Sequence, residues 1–343
     1  MPVVIKPLSA SMREEALSFI EQYEAECVNL AQEILRGGEN CFCVFYSEQA
    51  QDNDAQGESG AQGSKLAGLF ALKKKRSLFH CLPFAKYKSA FDKKICNEAQ
   101  KPLMEFFESN EPFCVNGEAA GGLYVKNILR HKKTPRAPSV VNKYFLMTLE
   151  EPQNKKALQD SGAKIESHAK KTGGGLFVSL AELSDYAALL PLELGYQREE
   201  VVPPSFDISD AVLEAAFKMD LAQGQTFALF EGARAVAKAK VTASGRRFCM
   251  LGGVYTIPSE RKKGLASFLV GQMMAWLKAE APCVQRQTAG GGSTDFGAPV
   301  DSANQSLPLK NFCLYAKQQN AAALALYKSL GFVLGGEYLL IYY

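Results

Sequence analysis

The segment with the clearest chemical potential is residues 261–266, Arg-Lys-Lys-Gly-Leu-Ala, between an apolar run and a helix-like stretch. The first N–H groups of a helix have no partner inside the helix, and the helix dipole makes that end positive. A glycine at this point lets an anionic group approach the backbone closely. The pattern favours a phosphate-binding turn, although a solvated basic turn has the same composition.

A second segment, residues 314–332, has the pattern of a capped helix. Asn320 is suited to the cap because its side chain can accept hydrogen bonds from first-turn N–H groups. Tyr327 lies on one face with other apolar residues, and Gly331 ends the helix. Taken by itself, Tyr327 is typical of a core aromatic residue at helical spacing.

Together, and in this order, the two segments resemble two motifs of the GNAT (GCN5-related N-acetyltransferase) superfamily. The first motif, Arg/Gln-x-x-Gly-x-Gly/Ala, corresponds to residues 261–266. The second is an Asn followed by Ala, Leu-Tyr and Gly-Phe, and it corresponds to Asn320, Ala323, Leu326, Tyr327, Gly331 and Phe332. The resemblance to catalytic GNAT domains covers residues 175–343.

The resemblance implies acetyl-CoA as co-substrate and no metal. The residues that it assigns to the cofactor are Val254, Tyr255, Thr256, Arg261, Lys262, Lys263, Gly264, Leu265, Ala266 and Asn320. Residues 254–256 would pair with the pantetheine arm, the N–H groups of residues 262–266 would hold the pyrophosphate, and Asn320 would hydrogen-bond the pantetheine. Tyr327 matches the family tyrosine that protonates the departing CoA thiolate, and a phenol with a pKa of about 10 suits that task.

One departure from the family concerns the general base. Many GNAT enzymes have a Glu on the strand before the first motif, whereas residues 248–256 contain no carboxylate. A residue from elsewhere, a water molecule or an amine that arrives neutral remain as alternatives. We therefore expect an N-acetyltransferase that works by direct attack of a primary amine, with a strand N–H near residues 254–256 stabilising the oxyanion. The alternatives are a catalytically silent CoA-binding regulatory or interaction protein and a longer-chain N-acyltransferase.

The elements that must position these motifs alternate between strand and helix patterns. In the second half we predict strands at 176–180, 226–230, 233–241, 248–256, 311–316 and 338–343, and helices at 181–194, 210–222, 264–279 and 321–330. Ser209 or Asp210 can cap the helix that begins there.

The first half repeats this rhythm, with strands at 3–5, 41–46, 66–72, 78–82 and 144–149 and helices at 12–35 and 95–107. Residues 83–94 contain no glycine, and no counterpart of the second motif precedes Tyr144. This copy therefore resembles the degenerate N-terminal copy of tandem GNAT proteins, to which residues 196–201 (YQREEV) are also similar. The expected fold is α/β with an α+β mixed sheet, built as two tandem GNAT-like domains, each a central, mostly antiparallel sheet flanked by helices.

The predicted organisation has a degenerate domain without a CoA loop at 1–150, a linker at 151–174 and a catalytic domain at 175–343. Two polar, Gly-rich segments, residues 47–65 and 287–306, are predicted to be flexible insertions. The second insertion follows the helix after the first motif and is placed where it could cover an acceptor entrance.

Composition excludes several classes of protein. The chain has 343 residues, 47% hydrophobic and 22% charged, with a net charge of +3. That balance gives no support for a nucleic-acid partner, and no apolar run reaches the roughly 18 residues of a membrane span. The N-terminal residues lack the pattern of a signal peptide, and the nine cysteines are an odd, scattered number. We expect a reduced, cytoplasmic protein whose partner is a small-molecule or peptide amine.

A metal site is the main alternative chemistry. Cys41 and Cys43 share a strand face, and His80 and Cys81 lie on the neighbouring strand. Loop spacing such as Cys-x-x-Cys is absent, so buried structural cysteines are the better interpretation. The sequence contains no readable code for the acceptor or for the oligomeric state.

Overall fold

The computed structural model describes residues 2–47, 64–73, 76–150, 175–202, 206–287 and 311–343, with the backbone alone for 280–287. The strands of the first half are Val3–Pro7 (β1), Cys41–Ser47 (β2), Ser64–Leu72 (β3), Ser77–Cys81 (β4), Cys114–Glu118 (β5) and Val140–Leu149 (β6). Its helices are Arg13–Ile20 (α1), Glu24–Leu35 (α2), Ala90–Ser109 (α3) and Ala119–His131 (α4).

The second half has the same kinds of element. Its strands are Leu176–Leu180 (β7), Thr226–Glu231 (β8), Arg234–Ser244 (β9), Phe248–Thr256 (β10), Asn311–Lys317 (β11) and Val333–Tyr342 (β12). Its helices are Tyr186–Tyr196 (α5), Asp210–Ala222 (α6), Leu265–Gln287 (α7) and Ala321–Ser329 (α8), and a π-helical turn, Gln197–Val201, continues α5.

The chain forms two compact units whose boundaries differ from the predicted ones at the C-terminus. Unit 1 comprises Met1–Leu146 and Gly335–Tyr343, and unit 2 comprises Met147–Leu334. The prediction assigned the last nine residues to the second domain. They belong to unit 1 because β12 pairs antiparallel with β5, from Tyr338↔Glu118 to Tyr342↔Cys114. The predicted linker, 151–174, lies outside the described residues.

Each unit has a mixed sheet flanked by helices, which confirms the predicted fold class. In unit 1 the strand order is β1-β2-β3-β4-β5-β12-β6, and in unit 2 it is β11-β10-β9-β8-β7. Neighbours from β1 to β4 and from β7 to β10 are antiparallel. The pairs β4–β5 and β10–β11 are parallel. These two parallel pairs occupy corresponding places in the two units.

The helix predicted at 12–35 is divided into α1 and α2 by a 3₁₀ turn, Glu21–Tyr23. The apolar faces of both helices belong to one buried cluster, which includes Ile20 from α1, Leu30 from α2 and Leu69 from β3. A bend lets both helices cover this side of the sheet, and burial of apolar surface is the dominant favourable term in folding.

Two elements of unit 1, β5 and α4, are absent from the sequence prediction. β5 is short, and α4 contains Gly121 and Gly122, which are poor helix formers. Glu118 compensates by capping α4: its Oε1 and Oε2 accept hydrogen bonds from the N–H groups of Ala120 and Gly121 at 3.0 and 3.2 Å.

Several other predictions agree closely with the structure. The bounds of β7, β10 and α6 are those predicted, whereas α5 begins at Tyr186 after a 3₁₀ turn. Ser209 occupies the N-cap position of α6, but its side chain makes no capping hydrogen bond. Ser47, Ser64 and Lys65 belong to β2 and β3, and the rest of the first insertion lies outside the described residues, as do residues 288–306. None of the described helices is long and apolar enough to cross a membrane.

Candidate functional site

The candidate site lies in unit 2, where β10 and β11 run parallel. Their pairing extends from Phe248↔Asn311 to Leu251↔Leu314. β10 then continues to Thr256 and β11 to Lys317, beyond the last pair. We call the region between residues 252–256 and 315–317 the strand gap. Backbone groups of β10 along this gap are not used in the pairing with β11. The carbonyl oxygens of Gly253 and Thr256 accept hydrogen bonds from Lys238 and Arg261 instead, whereas Val254 lies outside the registers with both β11 and β9 and could pair with an extended ligand.

A bulge shapes the β10 side of the strand gap. The register of β10 against β9 shifts between Gly252, which pairs with Lys240, and Tyr255, which pairs with Lys238. Gly253 has a φ of +59°, and a Cβ there would lie 2.9 Å from Cγ of Lys240. Glycine is therefore required at this position on both conformational and steric grounds. The bulge contains Val254, one of the predicted cofactor residues.

A buried lysine supports the bulge from behind. Lys238 is 1% exposed, and its Nζ donates to the carbonyl oxygen of Gly253 at 3.0 Å. The same Nζ lies 2.7 Å from Oε2 of Glu193, which is also buried. Burial lowers the pKa of Lys238 to about 8, although the carboxylate of Glu193 opposes that shift. The ion pair therefore fixes the carbonyl of the bulge to α5.

The predicted anion-binding turn has the expected strand–loop–helix form. After β10, a 3₁₀ turn at Pro258–Glu260 leads to Lys262 and Gly264, which have φ values of +65° and +76°. A Cβ built on Gly264 meets no atom within 4 Å, so the space in front of this backbone is open. α7 begins next, at Leu265. Its first N–H groups lack partners inside the helix and can bind an anion in that space.

Arg261 is directed back toward β10. Its Nη2 donates to Oε2 of Glu199 at 2.8 Å, and its Nε donates to the carbonyl oxygen of Thr256 at 3.0 Å. Oε1 of Glu199 accepts a hydrogen bond from the hydroxyl of Tyr255 at 2.6 Å. The Tyr255 and Arg261 contacts hold the pKa of Glu199 below its usual range. Two predicted cofactor residues, Tyr255 and Arg261, are thus joined to one carboxylate of the π-helical turn, and Arg261 also holds Thr256.

The second motif lies on the other side of the strand gap. Oδ1 of Asn320 accepts from the N–H of Ala323 at 3.0 Å, which confirms the predicted cap of α8. Its Nδ2 donates to Oε1 of Glu200 at 3.2 Å, and Oε2 of Glu200 lies 3.3 Å from Nζ of Lys317. Tyr327 is 8% exposed, and burial, followed by the charge of Glu200, raises its pKa. Tyr327 therefore stays protonated at neutral pH.

The sequence analysis missed the residues that link these two sides. They are Glu199 and Glu200, together with Glu193 and Lys238, which support the bulge of β10. Residues 196–201 stood out only as a likeness to tandem proteins. Lys238 had a readable signal, because it lies within an otherwise apolar part of β9, Ala-Val-Ala-Lys-Ala.

Unit 1 has a corresponding junction between β4 and α3. A 3₁₀ turn at Pro83–Lys86 again follows the strand, and Tyr87 has a φ of +51°. Before α3, Ser89 has an extended backbone and caps the helix, whereas Gly264, before α7, has a left-handed backbone and no side chain. Its Oγ accepts from the N–H of Asp92, and Oδ2 of Asp92 accepts from the N–H of Ser89, both at 3.0 Å. This capping box satisfies N–H groups at the start of α3 that would otherwise be free to bind an anion.

The imidazole of His80 packs where β4 and β5 cease to pair. That pairing ends at Phe79↔Asn116. His80 is 2% exposed, and a Cβ on Gly117 or Gly121 would lie 2.1 or 2.5 Å from its ring. Burial lowers the pKa of His80 to about 4, so the ring is neutral. The space that is a gap in unit 2 is thus filled by a side chain in unit 1.

The thiols considered as a metal site are buried. Cys41, Cys43 and Cys81 are free and lie in the core of unit 1, as the structural interpretation predicted. Burial raises the pKa of Cys41 and of Cys43 to about 12. Within the described residues, no group of three or more His, Cys, Asp or Glu side chains is placed to hold a metal ion.

Comparison with known proteins identifies the fold. No family model matches the sequence, and no curated protein matches it. Among solved structures, a Drosophila melanogaster protein is similar over 99% of this chain and 98% of its own, with a TM-score of 0.52 at 13% identity. A tandem GNAT protein from the clavulanic acid biosynthesis pathway is similar over 99% and 97%, with a TM-score of 0.50 at 9% identity. The chain has the tandem GNAT fold.

Proposed function

We propose that this protein is an acetyl-CoA-dependent N-acetyltransferase whose unit 2 carries the active site. The observation that carries the proposal is the open turn at Gly264. This turn lies in the loop after β10, a strand that continues beyond its last pair with β11. The acceptor would be a small-molecule or peptide primary amine. Unit 1, whose junction is capped by Ser89 and Asp92, would bind no cofactor.

The residues of unit 2 fit acetyl-CoA. An anionic diphosphate suits the open space before α7, where Lys262 and Lys263 are exposed and Gly264 carries no side chain. An extended amide-containing arm suits the bulged strand, where residues 254–256 lie beyond the pairing with β11. Leu265 and Ala266 would contribute backbone N–H groups, and Asn320 would offer its amide.

Acetyl-CoA, when bound, would supply an acetyl group activated as a thioester. The bulge of β10, held by Lys238 through the carbonyl of Gly253, would aim a strand N–H at the developing oxyanion. Tyr327 is protonated at neutral pH, as an ordinary phenol is, so it would be able to donate its proton to the leaving sulfur as negative charge develops there. No general base is assigned, because Glu193, Glu199 and Glu200 each lie beside a cation.

The binding part of this proposal is tested by thermal unfolding with and without acetyl-CoA. A ligand at about 100 times its Kd stabilises the folded state by roughly 2.7 kcal/mol, which amounts to several degrees. We expect this shift in the wild type and its loss in Gly264→Glu, whose carboxylate would occupy and repel at the anion site. The matched control is Gly232→Glu, because Gly232 also has a positive φ of +58° and open surroundings. No shift in the wild type, or an equal shift in Gly264→Glu, would contradict the proposal.

The catalytic part is tested by thiol release from acetyl-CoA with a panel of primary amines. Tyr327→Phe should bind acetyl-CoA with little change and should lower kcat by roughly a hundredfold or more. Unchanged turnover would remove Tyr327 from the acid role. Binding of acetyl-CoA without turnover of any amine would favour a silent CoA-binding protein, and a preference for longer acyl chains would favour the N-acyltransferase alternative.

A further inference from the structure

The π-helical turn Gln197–Val201 carries two adjacent glutamates that contact opposite sides of the strand gap. Glu199 contacts Tyr255 on β10 and Arg261 in the loop that follows it. Glu200 contacts Lys317 at the end of β11 and Asn320 at the start of α8. Consecutive helical residues point in different directions, so one turn can reach both sides.

We propose that Glu199 and Glu200 are positioning residues that bridge the strand gap and set its width for the acetyl-CoA arm. This inference rests on the proposed function of unit 2, and it assigns a role to residues 197–201 that neither motif contains.

The contacts are tethers rather than isolated surface pairs. The Glu199 carboxylate uses both oxygens, one for Tyr255 and one for Arg261, and Arg261 is itself bound to the carbonyl oxygen of Thr256. Its guanidinium also lies 5.1 Å from the ring centroid of Tyr255. The end of β10 and the start of the loop are therefore held to one point of the π-helical turn.

The Glu200 side is tethered in the same manner. Its two oxygens are used by the Asn320 amide and the Lys317 ammonium, one on each side of the turn between β11 and α8. Asn320 cannot move freely, because its other amide atom caps α8. The position of Glu200 is thereby coupled to the helix that carries Tyr327.

α5 anchors the turn itself. Glu193, one helical turn earlier, is 2% exposed, is paired with Lys238 and accepts a hydrogen bond from Nε2 of Gln197 at 2.6 Å. The N–H of Val202 donates to the carbonyl oxygen of Gln197 at 2.8 Å and closes the π-helical turn. A rigid support of this kind lowers the entropic cost of ordering a binding site.

The test measures the Kd of acetyl-CoA by titration calorimetry for Glu199→Ala, Glu200→Ala and the double variant. A loss of about 1 kcal/mol per contact corresponds to about a fivefold change, so we expect about fivefold weaker binding for each single variant and roughly 25-fold weaker binding for the double variant. Simple electrostatics predicts tighter binding of acetyl-CoA instead, because each substitution removes a negative charge near an anionic ligand. The matched control is Asp210→Ala. It removes a negative charge and an exposed ion pair with Arg198 of the same turn, but contacts neither side of the gap, so its Kd should not rise.

Hydrogen exchange of the free protein provides a second readout that needs no cofactor. We expect the amides of residues 252–256 to exchange faster in Glu199→Ala, those of residues 318–323 to do so in Glu200→Ala, and neither in Asp210→Ala. Unchanged exchange in both glutamate variants, or unchanged or tighter binding of acetyl-CoA, would overturn the bridge. Failure of the wild type to bind acetyl-CoA would instead refute the proposed function, and the exchange data would still decide whether the bridge exists.

Discussion

The two units each have a junction in which a strand, a loop and a helix follow one another. The two junctions differ in the groups that lie at the start of the helix and beyond the last strand pair. In unit 1, Ser89 and Asp92 cap the helix, and His80 fills the space beyond the last strand pair. In unit 2, a Cβ on Gly264 would meet no atom within 4 Å, so the start of the helix is open. The difference shows that a few side chains decide whether the start of the helix at such a junction is capped or open.

Burial of the His80 ring in unit 1 makes the free energy of unfolding depend on pH. This is the largest effect that we expect. His80 is neutral in the folded protein, with a pKa of about 4 against about 6.5 when unfolded. The unfolded state therefore binds more protons between these values, and stability falls as the pH is lowered. We expect the free energy of unfolding to lose about 3 kcal/mol from this residue between pH 6.5 and pH 4.

Urea unfolding at pH 7 and pH 4 measures this effect by comparing the wild type with His80→Leu, which cannot titrate. The loss on acidification should be smaller in His80→Leu by that amount. His131→Leu, which removes an exposed histidine of the same unit, is the control. An equal pH dependence in wild type and His80→Leu would mean that the ring is not held neutral.

A methyl group added to a glycine distinguishes the filled space from the open one. In Gly117→Ala the new Cβ would lie 2.1 Å from the His80 ring, and overpacking of this kind costs about 2 kcal/mol. In Gly264→Ala the space is open, so only the left-handed backbone is penalised, by about 1 kcal/mol. Urea unfolding of the two variants checks the difference, and a larger loss for Gly264→Ala would reverse the comparison.

The smallest expected effect concerns the cap of α3. Ser89→Ala removes the capping hydrogen bond to Asp92 and should cost about 1 kcal/mol of stability. Ser209→Ala is the matched control, since Ser209 holds the same helix position without a side-chain bond, and it should cost almost nothing. Thermal unfolding measures both variants. Binding of a second equivalent of acetyl-CoA by Ser89→Ala would show that the cap alone closes unit 1 to the cofactor.

The sequence predicted the parts of the fold whose signals are local. Strand β10, the loop at residues 261–264 and the start of α7 appear where their pattern indicated, because apolar periodicity and glycine placement act over a few residues. The Asn320 cap is equally local, since its partner is three residues away. Elements with weak local signals, such as β5 and the glycine-containing α4, were not predicted.

Tertiary structure alone decided which side chains meet. Glu200 and Asn320 are 120 residues apart, and Glu199 lies 62 residues from Arg261, so nothing in the local pattern pairs them. The pairing of β12 with β5 of unit 1 is likewise a long-range choice that no neighbouring residues encode. The sequence by itself determined the glycine turn before α7 and the Asn320 cap of α8, because those features depend on the nearest few residues. In unit 1, His80 fills the space beyond the last pair of β4 and β5, and in unit 2, Glu199 and Glu200 contact the two sides of the strand gap. Both arrangements depend on packing between distant segments, and only the folded chain decides them.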